Sequence, residues 1–73
     1  MAIAYRTLLA DNGDPDATLE DPTVTGMVDA WRVGAPLATA VRAEWGEEGW
    51  QMIQSRPAPN DQMSTVIDFV KEV

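Results

Sequence analysis

Residues 35–53 read APLATAVRAEWGEEGWQMI, and this stretch decides the fold. Pro36 suits the first turn of a helix, where its missing N–H costs nothing. Leu37, Ala40, Val41 and Trp45 fall on one stripe at helical spacing, while Arg42 and Glu44 fall outside it. Gly46 and Gly49 then stop the helix, because glycine readily takes the left-handed conformation of a C-cap. The spacing predicts a helix over residues 35–48. Trp50 next opens a strand, WQMIQSR, over residues 50–56. A second strand, MSTVIDFVKEV, follows over residues 63–73. Between them PAPNDQ, residues 57–62, carries turn chemistry: its prolines cannot donate to a ladder and Asn60-Asp61 favours a turn. The two strands read as a hairpin.

Toward the N-terminus the pattern is less clean. Residues 23–33, TVTGMVDAWRV, place Val24, Met27, Val28 and Trp31 at helical spacing, and Asp21-Pro22 could start a helix. Gly26 and the β-branched Thr23, Val24, Thr25 and Val28 weigh against that. The favoured reading is a strand over Met27–Val33, with a helix as its rival. Residues 2–9, AIAYRTLL, alternate as a further strand, with Ile3, Tyr5, Thr7 and Leu9 on one face. The intervening ADNGDPDATLEDP, residues 10–22, is loop chemistry, with Asn12-Gly13 and Asp14-Pro15 as breakers. The order is β-β-α-β-β. It implies an α+β domain: an antiparallel sheet of about four strands with one helix on one face.

The corner at Gly46–Trp50, G-x-x-G-W, resembles the signature of the DUF4177 family of small α+β domains. In that family too a helix ends in this pattern and runs straight into a strand. The resemblance covers residues 27–73 and implies a strand at MVDAWRV and a hairpin after the helix. Residues 1–26 would then be an N-terminal extension with an extra strand and an acidic loop. It implies no activity and no catalytic residues.

Composition removes whole classes of function. The 73 residues allow one domain, and they contain neither cysteine nor histidine. Thiolate chemistry, thiolate metal sites and the usual general base are therefore absent. The formal net charge is −7, from 5 basic against 12 acidic residues, which repels phosphate backbones and anionic membranes. The expectation is no direct nucleic-acid binding and no membrane association. The start MAIAYRTLLAD lacks a basic segment ahead of an apolar core, so it does not read as a signal peptide, and a cytoplasmic location is expected.

Candidate chemistry is sparse. Glu47 and Glu48 are adjacent at a helix end and diverge, whereas glycoside hydrolysis needs two carboxylates facing one another about 5–9 Å apart. The acidic loop carries Asp11, Asp14, Asp16, Glu20 and Asp21. Set against an EF-hand beginning at Asn12, it offers Ala17 where glycine is needed and Thr23 where glutamate is needed. Ser55 and Ser64 lack the context of a nucleophile. Gly46 and Gly49 follow a helix, so they cannot cradle phosphate at a helix start. Asp29 and Asp68 interrupt apolar alternation and read as edge protection or as partners for a cross-strand arginine, Arg6, Arg32 or Arg56. No enzyme activity, cofactor or metal is expected.

One predicted sheet face gathers Ile3, Tyr5, Leu9, Met27, Trp31, Val33, Trp50, Met52, Ile67 and Phe69 beneath the helix. The opposite face gathers Leu8 with Val28, Ala30, Ile53, Val66 and Val70. A helix of ten residues is about 15 Å long and covers one face only. The expected function is a protein-interaction module that self-associates through the second face, with Val28, Ala30, Ile53, Val66 and Val70 as its surface. The alternative is an acidic inhibitor or decoy, of the kind phages encode, with Asp11, Asp14, Asp16, Glu20 and Asp21 contacting a partner's basic nucleic-acid-binding surface. A small-ligand or cation-binding domain is a weaker alternative.

Overall fold

A computed structural model describes residues 2–22, 30–58 and 61–73, the side chains of residues 58 and 61–63 excepted. Strand β1 spans Ile3–Asp11, β2 Ala30–Gly34, helix α1 Ala35–Glu47, β3 Gln51–Ala58 and β4 Asp61–Glu72. The strands form one sheet in the order β2-β1-β4-β3, with α1 on one face. This is the α+β layout expected, with one departure. β1 and β4 pair antiparallel, as do β3 and β4, but β1 and β2 pair parallel, Thr7 opposite Ala30 and Asp11 opposite Gly34. The sheet is therefore mixed. Met27, Val28 and Asp29 lie outside the described residues, as does most of the rival helix. β3 and β4 come closer than expected: Pro57 pairs with Thr65 and Ala58 with Asp61.

The helix begins with Pro36 in its first turn and ends on a Schellman motif. The N–H of Gly49 bonds Gly46 O at 3.1 Å, and the N–H of Trp50 bonds Trp45 O at 3.0 Å. This wrapping needs a left-handed residue, and Gly49 supplies it at φ 101°. Of the two glycines only Gly49 ends the helix; Gly46 lies within it. The buried stripe is Ala38, Val41 and Trp45. Leu37 and Ala40, expected on that stripe, are exposed. The helix thus turns Ala38 rather than Leu37 toward the sheet.

The core joins Leu8 and Ala10 of β1, Val33 of β2, the helical stripe, and Ile67 and Phe69 of β4. Leu8 and Val33 are fully enclosed, each contributing about 1.5–3 kcal/mol. Trp31 and Trp50 flank this core as half-buried walls, in the positions expected of them. Trp45 stands edge-on to Trp31 at 5.8 Å and to Phe69 at 5.1 Å.

The faces of β1 are the reverse of those expected. Leu8 and Ala10 point beneath the helix, so Ile3, Tyr5 and Leu9 lie on the far side. The decisive residue is Arg6. Its guanidinium carbon lies 4.8 Å from the Trp31 ring centre, 4.8 Å from Trp45 and 4.3 Å from Trp50. A guanidinium is weakly hydrated and is attracted to indole faces, so a cation sits on the helix side of the sheet. Met52, expected in the core, is exposed on the outer strand.

The segment after β1 folds back along β2. Gly34 N–H bonds Ala17 O at 2.9 Å, Glu20 N–H bonds Arg32 O at 2.6 Å and Arg32 N–H bonds Glu20 O at 2.9 Å. Residues 17–20 thus cover the outer edge of β2. Their approach depends on Gly34, because a Cβ there would run into the backbone carbonyl of Pro15. Gly34→Ala should cost about 1–3 kcal/mol by overpacking. Urea unfolding measures this, and amide exchange should rise at Ala17 and Glu20 ahead of β4.

Candidate interaction surface

The sheet face away from α1 carries Ile3, Tyr5, Thr7, Leu9 and Asp11 from β1, with Ala30 and Arg32 from β2. β4 adds Ser64, Val66, Asp68, Val70 and Glu72 by register. Of the surface expected from the sequence, Ala30, Val66 and Val70 lie here. Val28 lies outside the described residues. Ile53 falls at a register irregularity between Met52 and Gln54, where β3 takes one residue more than β4, and it is 57% exposed. Leu8 is in the core instead. Ile3, Tyr5 and Leu9, assigned to the core, join the surface; Tyr5 is 68% exposed and Ile3 50%.

Asp68 sits in the middle of this face. Thr7 Oγ1–H donates to Asp68 Oδ1 at 3.0 Å and Gln54 Nε2–H to Oδ2 at 2.8 Å, with Arg56 Nη1 3.6 Å from Oδ2. Arg56 is one of the three arginines expected to serve this acid. Both carboxylate oxygens are satisfied within the sheet, so covering Asp68 would strand no acceptor.

At one end of the face Arg32 gathers three carboxylates. Nε donates to Asp11 Oδ2 at 2.8 Å and Nη1 to Glu20 Oε2 at 2.8 Å. Nη2 lies 2.7 Å from Asp11 Oδ2 and 3.2 Å from Asp14 Oδ2. The other oxygen of Asp11 accepts from Gly13 N–H at 2.8 Å, Asp14 N–H at 3.3 Å and the Ser64 hydroxyl at 3.4 Å. Burial alone would raise the Asp11 carboxyl. The Gly13 amide, the Arg32 guanidinium and the Asp14 amide outweigh it and hold the carboxyl below the ordinary aspartate value. Bonds from Glu20, Asp14 and Asp11 push Arg32 higher still, so it stays charged at any working pH. Three of the five loop acids are thus anchored on one guanidinium, which stands where a bound cation would. Asp16 is exposed and Asp21 half-buried.

The two sheet edges differ. The outer edge of β2 is covered by residues 17–20. β3 has exposed side chains from Gln51 to Pro57. Its edge is guarded by the Ile53 irregularity, the charge of Arg56 and Pro57, which has no N–H to offer. Where β3 begins, a cavity of about 360 Å³ is lined by Ile3, Gly49, Gln51, Val70, Lys71 and Glu72. Sequence periodicity could not find it, because it forms where one strand starts two residues short of its neighbour. Among the described residues no helix is long and apolar enough to cross a membrane.

No family model, no curated protein and no solved structure matches this chain. The resemblance to the DUF4177 family is neither supported nor contradicted by these comparisons.

Proposed function

We propose that this chain is a non-enzymatic interaction module that self-associates through the sheet face opposite α1. The observation that carries this reading is the apolar group on the face opposite the helix, where Ile3 and Tyr5 are exposed and Leu9, Val66 and Val70 are half-buried beside them. Contiguous exposed apolar surface usually marks a docking site. A second copy suits it because the polar centre, Asp68, is already satisfied by its own neighbours. The guarded edge of β3 favours face-to-face contact over edge pairing. A domain of this size also gains stability from association.

The acidic-decoy reading draws less support, since Arg32 takes up Asp11, Asp14 and Glu20. Sedimentation separates the two. The wild-type chain should sediment as a dimer at high micromolar concentration, and the dimer should persist in 1 M salt, where the Debye length is about 3 Å. Tyr5→Glu together with Val70→Lys should return it to a monomer with an unchanged circular dichroism spectrum. A wild-type monomer at all concentrations would overturn the reading.

A further inference from the structure

The cavity at the start of β3 is a gap in a hydrogen-bonded row. Val73 N–H bonds Ala2 O at 3.0 Å, on the β1 side. Backbone groups alternate along an antiparallel strand. The N–H and C=O of Val70 and Glu72 therefore point to the other side, toward β3. β3 places Gln51 opposite Val70. It places nothing opposite Glu72, because the chain leaves the sheet at Gly49 to reach the helix, so this rung of β4 opens into the cavity. Ile3 and Val70 form the apolar floor on the open face. Lys71 points to the opposite face, where its Nζ lies 5.8 Å from the Trp50 ring centre.

We propose that this notch binds the C-terminal end of an extended peptide, which continues the row of β3. A single residue of the ligand can answer both the N–H and the C=O of Glu72, as in strand addition. Its side chain meets Ile3 and Val70 and is therefore apolar. A strand entering this row antiparallel to β4 runs into Gln51 and must stop there, so the ligand presents a chain end. That end is a carboxylate, and it reaches the part of the cavity that Lys71 lines from the helix side and Glu72 from the open face. The volume, near the lower limit for ligand pockets, suits a few residues rather than a long strand.

The notch shares Ile3 and Val70 with the face proposed for self-association, which is read separately by sedimentation without peptide. The test uses the full ¹⁵N-labelled chain at low micromolar concentration, titrated with acetyl-Val-Thr-Val as free acid and as amide. The acid should shift the Glu72 amide saturably and bind about fivefold or more tightly than the amide, as expected for a charge-assisted contact. Glu72→Pro removes the N–H that faces the cavity and leaves the β1 ladder intact; it should weaken binding at least about tenfold, the scale of a lost hydrogen bond. Glu72→Ala keeps that N–H and should bind as the wild type does. Lys71→Gln should erase the preference for acid over amide. No saturable shift at Glu72, equal affinity for acid and amide, or equal binding by the proline and alanine variants would each overturn the proposal.

Discussion

Replacing Trp45 with alanine should leave the chain largely unfolded at room temperature. A 73-residue domain carries about 4–11 kcal/mol of stability at 0.05–0.15 kcal/mol per residue, and a small core sits at the lower end. Truncating a buried tryptophan costs roughly 3–5 kcal/mol in transfer and cavity terms. Trp45 is 3% exposed and makes edge contacts with both Trp31 and Phe69. It also forms one wall of the Arg6 cage, so its loss leaves a half-buried guanidinium over two indoles instead of three. Trp45→Phe keeps a ring in the core and should lose about half as much. Urea titration followed by far-ultraviolet circular dichroism distinguishes the variants. A folded alanine variant with a midpoint near the wild type would show that the helix is held by something other than this residue.

Arg32→Met should be the second most damaging change, at about 2–3 kcal/mol, since charge-assisted hydrogen bonds contribute about 1.5–3 kcal/mol each and do not simply add. Asp11, Asp14 and Glu20 would then face one another with no cation between them. For a domain of this length the melting temperature should fall by roughly 10–20 °C. Arg32→Lys should recover part of the loss, because a single ammonium cannot serve three carboxylates in a planar fork. The pH profile carries a further signature. The Asp11 carboxyl is held below its unfolded value, so its contribution is present above the unfolded aspartate pKa of about 3.9 and fades as pH drops through the folded value. The wild type should therefore lose stability on acidification below about pH 4, and Arg32→Met should lose less over that interval. Parallel acid limbs for the two proteins would remove Arg32 as the cause.

How much could be read from the residues alone depended on whether the signal was local. The helix and its exit were legible because Pro36, the Trp45 stripe and Gly49 act within a few positions of one another. The hairpin of β3 and β4 was legible for the same reason. The faces of β1 were not, because both alternations are apolar: Ile3, Tyr5 and Leu9 against Ala4, Leu8 and Ala10. Arg6 tips that balance, and its preference depends on three tryptophans distant in sequence. The parallel pairing of β1 and β2 was hidden by turn dipeptides that also suit a hairpin. In the candidate surface, Ala30, Val66 and Val70 followed from alternation, whereas the irregularity at Ile53 moved that residue out of phase. The gathering of acids on Arg32 was out of reach, since Asp11 and Arg32 lie 21 positions apart and meet only once the parallel pair has formed.

The strand order also bears on synthesis. β4 is the last of these strands to leave the ribosome, yet it lies between β1 and β3. Until it emerges, β3 has no strand partner, and β1 has only the short β2. The nascent chain therefore cannot close its core one element at a time. Its longest-range pairing, between β1 and β4, must form after β4 has emerged, which favours slow folding governed by topology. Until that moment the tryptophans and the apolar alternations of β1 remain exposed to whatever chaperones are nearby.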